Sequence, residues 1–227
     1  MRYTQGMQNN KPMILILHGI GGHAGIHWGQ WLHDELEKQG FQVTMPSLSN
    51  SKHPDRQQWL AEIKQSASEL DTDKLIIVGH SLGVTSALDF IEQSSTSVRG
   101  LVSVSGFAID YGAELNSYFL KEKSIDFQKA NTVLGKAVVF YGDDDPYVTQ
   151  EALKQLSDAL DVKPVVINGG GHLNTERGYT TFPQLLDAVL QMEIESSDKF
   201  SEVVKIMANT PPISNKELVK RSKQRKS

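Results

Sequence analysis

The chain has 227 residues, of which 39% are hydrophobic and 22% are charged, and its formal net charge is −4 at pH 7. This length suffices for one well-buried core and is short for two domains, and the composition is typical of ordinary globular proteins. Cysteine is absent, which excludes disulfide frameworks and thiolate metal sites and favours a reducing, cytoplasmic compartment.

Short apolar runs alternate along the chain with segments of helical periodicity. The predicted strands are KPMILILHG (11–19), FQVTMPS (41–47), KLIIVGH (74–80), VRGLVSVSG (98–106), GKAVVFYGD (135–143) and KPVVING (163–169). Helices are predicted over 27–39, from Pro54 to Leu70, over 82–91, after Thr149 as N-cap, and around 182–190. This alternation predicts an α/β fold, with a mostly parallel sheet of about six strands and helices on both faces.

Three segments fall outside this alternation. The long connection 107–133 should lie over the carboxyl edge of the sheet, where ligands bind in open α/β folds. The main domain is predicted to span residues 1–192. After it, residues 193–208 predict one extra amphipathic helix, and residues 209–227 predict a flexible basic tail.

Charge is distributed unevenly between the body of the chain and this tail. Residues 216–227 hold six basic side chains and one acidic side chain, which leaves 17 basic and 26 acidic side chains in residues 1–215. The acidic body argues against a nucleic-acid partner. The first apolar run, MILIL, is too short for a signal-peptide core or a membrane span, so we expect no membrane-spanning segment.

A serine follows the third predicted strand, in the sequence GHSLG at residues 79–83. Gly79 and Gly83 leave space on either side of Ser81, and a strained strand-to-helix turn of this kind presents the hydroxyl at the carboxyl edge of a sheet. The following helix also directs its N–H groups toward negative charge that develops there. Ser81 is therefore a candidate nucleophile, and the alternative is a glycine-rich turn whose serine only caps a helix.

Two later strands end in residues that could activate this serine. YGDDDPYV follows the fifth predicted strand and NGGGHLN follows the sixth. We expect His172 to act as the general base and Asp145, rather than Asp144 or Asp143, to orient its imidazole. The order Ser81, Asp145, His172 is also the chain order that accompanies a GxSxG turn. The alternatives are an acidic turn closed by proline and a loop histidine bonded to the backbone.

Such a nucleophile also requires donors for the oxyanion of its intermediate. We expect the N–H of Leu82 to be one donor and that of Ile20 to be the other, with Gly21 as the alternative. His18 is expected to support the loop after the first strand, and the side chain of His80 to point away from substrate. The remaining histidines lack a partner carboxylate at ligand spacing, so no metal site is predicted at His23, His27, His33 or His53.

These motifs resemble those of a known family, the small serine hydrolases of the α/β-hydrolase superfamily that include retinoblastoma-binding protein 9 and the YdeN-like proteins. The resemblance runs from about Lys11 to Leu190. It rests on the HG loop followed by Trp28 and Trp31-Leu32, on GHSLG, on SYFLKEKSIDFQKAN in the long connection, on DDPYV and on GGHLN. The family's LxCxE motif is absent because the chain has no cysteine, so a retinoblastoma-protein partner is not implied.

The resemblance implies an α/β-hydrolase fold without a large cap domain, a triad of Ser81, Asp145 and His172, and no cofactor. We expect hydrolysis of small carboxylic esters through an acyl-enzyme, in a pocket bordered by Trp28, Tyr118 and Phe119. A peptidase or amidase, a thioesterase, an acyltransferase and a non-catalytic binding protein on the same fold remain alternatives. The oligomeric state stays open, with a monomer slightly favoured.

Overall fold

The computed structural model describes residues 11–193, which form a six-stranded sheet with helices on both faces. The strands are β1 (Met13–Leu17), β2 (Gln42–Thr44), β3 (Leu75–His80), β4 (Val98–Val104), β5 (Leu134–Gly142) and β6 (Val165–Ile167). All of the pairings are parallel, in the order β2-β1-β3-β4-β5-β6. Each strand overlaps one predicted segment, and the predicted fold class is confirmed.

Seven α-helices lie within the described residues and connect or follow these strands. They are α1 (Gly29–Lys38), α2 (Arg56–Ser66), α3 (Leu82–Glu92), α4 (Ser117–Lys121), α5 (Phe127–Val133), α6 (Gln150–Ala159) and α7 (Pro183–Met192). The predicted cap of α6 is confirmed, because the Thr149 side chain accepts the N–H of Ala152. In α2, the Asp55 carboxylate accepts the N–H of Gln58, so that helix begins after Pro54.

Side chains alternate between the two faces of the sheet and produce two separate cores. In β1, Leu15 and Leu17 belong to the core that packs against α2, α3 and α6. Ile14 and Ile16, on the opposite face, belong to the core that packs against α1 and α7. A strand buried on both faces reads as a continuous apolar run, which explains the sequence pattern. Full burial of each such side chain stabilises the fold by about 1.5–3 kcal/mol.

A buried ionic cluster fixes the long connection 107–133 onto the helices beside it. Arg56, at the start of α2, donates from Nε and Nη2 to the Asp89 carboxylate of α3 at 2.7 and 2.9 Å. Its Nη1 donates to the carbonyls of Phe119 and Lys123, which belong to the connection. The ammonium of Lys123 in turn contacts Asp89 and Glu92. Removing one member of such a cluster leaves a buried charge, at a cost of about 3–5 kcal/mol.

The connection 107–133 contains α4 and α5 and ends where β5 begins. Its first part, from Tyr111 to Asn116, lies at the carboxyl edge of the sheet, as the sequence predicts. Except for Glu193, the predicted extra helix at 193–208 and the predicted tail at 209–227 lie outside the described residues. Among residues 11–193, no helix combines the length and the apolar character that crossing a membrane requires.

Candidate active site

Ser81 occupies a strained turn between β3 and α3. Its backbone has φ of 53° and ψ of −126°, a conformation that residues other than glycine rarely adopt. The turn is held because the N–H of Ser81 donates to the Val104 carbonyl at the end of β4, at 2.9 Å. The residue itself is mostly buried. The hydrogen bond to β4 therefore maintains the strained conformation, and the turn places Ser81 at the carboxyl edge of the sheet.

The two glycines of GHSLG are required by close packing. A Cβ atom on Gly83 would lie 2.5 Å from the His18 carbonyl oxygen, and one on Gly79 would lie 3.0 Å from the backbone of Val84. The first distance is shorter than real Cβ atoms show, the second is tighter than most Cβ contacts, and interiors are packed too densely to give way. Glycine at both positions thus lets α3 approach β1 and β3 closely enough to form the turn at Ser81.

Asp145 and His172 are brought into direct contact by the loops after β5 and β6. The Nδ1 atom of His172 lies 2.8 Å from Oδ2 of Asp145, whose side chain is fully buried. The other carboxylate oxygen, Oδ1, accepts the backbone N–H groups of Tyr147 and Val148 at 2.9 and 3.1 Å. Because a carboxylate oxygen accepts, Nδ1 of His172 donates and the lone pair of a neutral ring lies on Nε2.

The other two aspartates of the DDD sequence hold the loop after β6. Asp143 accepts hydrogen bonds from the Asn168 amide and from the Gly169 N–H. Asp144 accepts the Gly171 N–H at 2.7 Å and pairs with Arg177. Each of the two therefore binds the loop that carries His172 without contacting its imidazole, whereas Asp145 contacts the ring.

Two further histidines, His80 and His27, pack close to His172. His80 is buried, and its Nε2–H donates to the His172 carbonyl at 3.0 Å, while the two rings meet edge to face at 4.9 Å. The rings of His27 and His80 also meet edge to face, with their centroids 5.1 Å apart. Burial, with His172 and His27 adding to it, lowers the pKa of His80 well below its ordinary value of 6.5. His80 therefore stabilises the position of His172 as a neutral side chain, through its hydrogen bond to the His172 carbonyl.

The loop after β1 passes next to the serine. A Cβ atom on Gly19 would lie 2.7 Å from that of Ser81, and Ile20 lines the cavity above it. The N–H of Gly21, the alternative oxyanion donor, already donates to the Ser51 carbonyl at 2.7 Å. Of the two candidates in this loop, Ile20 is therefore the one whose N–H has no such bond.

His18 supports this loop from beneath, as expected from the sequence. Its Nε2 accepts the N–H of Leu48 at 2.9 Å, so in the neutral ring Nδ1 carries the proton and donates to the Gly19 carbonyl at 2.8 Å. Burial lowers the pKa of His18, which keeps the ring in this neutral form. Leu82 follows the serine as the first residue of α3, with its side chain in the core.

A cavity of about 460 Å³ opens above these residues. Ser81, His172 and Ile20 contribute to its wall, together with residues from the loops after β1, β4 and β5 and from the turn after His172. These further wall residues include His27, Tyr111, Leu115, Tyr147, Asn174 and Glu176. The volume falls within the range of sites that bind small molecules.

The three aromatic residues predicted to border this pocket lie elsewhere, and that prediction is wrong. Trp28 is buried against His80, and its Nε1–H donates to the Leu173 carbonyl. Phe119 is buried in the core against Trp59. Tyr118 stacks on His53 at 4.2 Å, on the outside of the connection. The neighbouring segment from Tyr111 to Asn116 lines the cavity instead.

Comparison with known proteins identifies the family. The sequence matches the family described as serine hydrolase over residues 14–191. The chain belongs to the serine hydrolase family. It is 27% identical to the YdeN protein of Bacillus subtilis (strain 168) over 178 residues, which is 78% of this chain and 93% of that protein. It is 29% identical to the serine hydrolase RBBP9 of Rattus norvegicus over 192 residues, or 82% of this chain and 97% of that protein.

Solved structures place this serine hydrolase among the α/β-hydrolase folds. The structure of the ydeN gene product of B. subtilis superposes with a TM-score of 0.74 at 26% identity and covers 80% of this chain and 98% of its own. Est1E from Butyrivibrio proteoclasticus superposes with a TM-score of 0.63 at 18% identity, covering 82% of this chain and 90% of its own, and shares the fold alone. The resemblance stated from the sequence motifs is therefore confirmed.

One pair of wall residues in the serine hydrolase cavity makes a contact that the sequence does not reveal. Tyr147 donates its hydroxyl proton to Glu176 at 2.5 Å and sets its ring edge to face against His172 at 5.2 Å. These two residues lie on different loops, so only the tertiary fold joins them.

Within residues 11–193, no group of three or more histidine, aspartate or glutamate side chains is arranged to hold a metal ion.

Proposed function

We propose that this serine hydrolase cleaves small carboxylic esters through an acyl-enzyme formed on Ser81. The observation that carries the proposal is the 2.8 Å contact between Asp145 and His172 at the wall of the cavity that also contains Ser81. A serine hydroxyl becomes nucleophilic only when a base removes its proton, and a base acts best when a third group fixes its orientation.

We place the protein in the cytoplasm on the basis of its lack of cysteine.

In this proposal Ser81 attacks the ester carbonyl while Nε2 of His172 accepts the hydroxyl proton. Asp145 stabilises the imidazolium that forms and keeps the proton of the neutral ring on Nδ1. The imidazolium then protonates the leaving alcohol, so the C–O bond breaks and the acyl group remains on Ser81. Water attacks the acyl-enzyme in the second half of the reaction, with His172 again as the base, and releases the acid.

The negative charge on the carbonyl oxygen requires donors that are already in place. We assign this role to the N–H groups of Leu82 and Ile20. The position of Leu82 at the start of α3 supports the first assignment, because the helix N-terminus carries unpaired N–H groups and positive partial charge. The engagement of Gly21 with Ser51 supports Ile20 over Gly21. Donors preorganised in this way lower the barrier by about 2.7–4 kcal/mol each.

We further propose that the enzyme prefers short acyl groups. The proposal is tested with a series of p-nitrophenyl esters from acetate to palmitate and with a thioester and an aminoacyl amide, each also assayed with Ser81→Ala. We expect the highest kcat/KM on acetate or butyrate and no activity above background in the variant. Faster hydrolysis of long-chain esters would contradict the size preference, and faster cleavage of the thioester or amide would reassign the substrate class.

A further inference from the structure

His27 is a wall residue of the cavity that the proposed reaction does not use. It lies on the loop after β1, and its backbone φ of 58° is in the left-handed region. A residue other than glycine is held there only where the surroundings determine its conformation, and such positions concentrate at functional sites. Here, the next residue, Trp28, holds the loop by its bond to the Leu173 carbonyl. The backbone therefore fixes the His27 ring at the cavity wall.

The protonation state of this ring follows from its partner on the turn after His172. The backbone N–H of Thr175 lies 3.2 Å from Nδ1 of His27, and the hydroxyl of Thr175 lies 2.9 Å from the same atom. Because a backbone N–H can only donate, Nδ1 is the acceptor and carries the lone pair. In a neutral imidazole the other nitrogen, Nε2, then carries the proton.

The His27 ring is neutral at neutral pH. Burial, with His172 adding to it, lowers the pKa of His27 to about 4, well below the ordinary value of 6.5. Nδ1 is occupied by Thr175, so Nε2–H is the polar group through which His27 can bind a molecule in the cavity.

Four other polar side chains of the cavity wall are hydrogen-bonded in two pairs. The Asn116 amide donates to the Tyr111 hydroxyl, and Tyr147 donates to Glu176. An ionised carboxylate accepts hydrogen bonds and has no proton to donate. The hydrogen bond from Tyr147 lowers the pKa of Glu176, which favours this ionised form. An ester has oxygen acceptors and no donor of its own, so a wall that binds it must supply N–H or O–H groups.

We propose that His27 is a substrate-binding residue whose Nε2–H donates a hydrogen bond to an oxygen of the bound ester outside the oxyanion hole. This inference rests on the proposed function, since it assigns a contact within the same reaction. It makes His27 part of the recognition of ester oxygen, while its Nδ1 binds the turn that follows His172. The two ring nitrogens thus have separate tasks, and substitutions can separate them.

The test compares His27→Asn with His27→Gln. The amide of asparagine overlays Nδ1 and keeps an acceptor for the Thr175 N–H, and asparagine tolerates positive φ, but it has no donor at the Nε2 position. The longer glutamine side chain places an N–H donor near Nε2 and has no acceptor at Nδ1. Both variants are assayed on p-nitrophenyl acetate and butyrate, with kcat and KM determined separately and the melting temperature as a check of folding.

We expect His27→Asn to lower kcat/KM about tenfold, largely through KM, and His27→Gln to keep most of the wild-type value. Unchanged kinetics in His27→Asn would overturn the inference, because the Nε2 donor would then be dispensable. Equal losses in the two variants would also overturn it, since the loss would follow from removal of the ring. An inactive wild-type enzyme would instead overturn the proposed function, and the inference with it.

Discussion

One carboxylate oxygen of Asp145 is hydrogen-bonded to His172, and the other accepts hydrogen bonds from the backbone of its own loop. Oδ2 lies 2.8 Å from Nδ1 of His172, and Oδ1 accepts two N–H groups from the residues that follow Pro146. The carboxylate therefore cannot rotate without losing three hydrogen bonds, and the imidazole orientation is fixed by the loop after β5. This relationship separates Asp145 from its two acidic neighbours.

The first prediction concerns the identity of the acid. Asp145→Asn should lower kcat by about a thousandfold or more, because an amide at this site can donate to Nδ1 and favour the wrong tautomer. Asp144→Asn is the matched control, since Asp144 binds Gly171 and Arg177 instead of the imidazole. We expect it to keep kcat within about fivefold of wild type. A larger loss in Asp144→Asn than in Asp145→Asn would assign the acid to Asp144.

The second prediction concerns the pH dependence of stability. His80 has a pKa far below 6.5 in the folded protein, so the unfolded chain binds its proton first as the pH falls. The stability that neutral His80 contributes is thus fully present above about pH 6.5 and is lost progressively below it. His27, with a pKa of about 4, contributes in the same direction between pH 6.5 and 4.

The test is to measure the urea midpoint at pH 7.5 and at pH 5 for wild type and for His80→Gln. Glutamine keeps an N–H donor for the His172 carbonyl but does not titrate. We expect the wild-type midpoint to fall further between the two pH values than the midpoint of the variant. An equal fall in both proteins would show that His80 takes no part in the acid sensitivity.

The third prediction tests the packing beneath the nucleophile. Gly83→Ala puts a methyl group 2.5 Å from the His18 carbonyl oxygen, so α3 must shift and the turn at Ser81 must open. We expect a loss of about 1–3 kcal/mol in the free energy of unfolding, together with a loss of activity. Gly29→Ala is the control, because its added carbon would meet only the Met45 sulfur at an ordinary 3.5 Å. Equal stability of the two variants would argue against this account of the turn.

The fourth prediction distinguishes the observed cavity wall from the predicted one. Leu115 is 59% exposed and lines the cavity, so Leu115→Ala should raise KM for esters and leave the melting temperature nearly unchanged. Phe119 is 1% exposed in the core, so Phe119→Ala should lower the free energy of unfolding by about 3–5 kcal/mol. A KM effect confined to Phe119→Ala in still-folded protein would restore Phe119 to the substrate pocket.

The sequence predicted the structure correctly where a residue type fits only one kind of position in the fold. Strands buried on both faces gave continuous apolar runs, and the strained turn at Ser81 needed glycines at fixed spacing. It failed at Tyr118 and Phe119, which are adjacent on the short helix α4 and face different surroundings. An aromatic side chain suits a core and a pocket equally, and five residues define no helical face.

The contacts around His172 were beyond prediction for a different reason. Tyr147 and Glu176 are 29 residues apart, and His80 and the His172 carbonyl are 92 apart. Each contact depends on how far one loop reaches over the sheet edge, which neither periodicity nor turn chemistry encodes. The sequence predicts that the His80 side chain points away from substrate, and the structure shows it buried, with its ring lying against that of His172.

The central claim is that Ser81 is an activated nucleophile, and covalent labelling by a fluorophosphonate probe tests it most directly. The purified protein is treated with the probe, and the modified residue is located by mass spectrometry. Ser81→Ala and His172→Ala serve as controls, each checked for its melting temperature. We predict one phosphonylated residue, Ser81, in wild type and no labelling in either variant. Folded wild-type protein that stays unlabelled would contradict the account and favour a binding protein on the hydrolase fold.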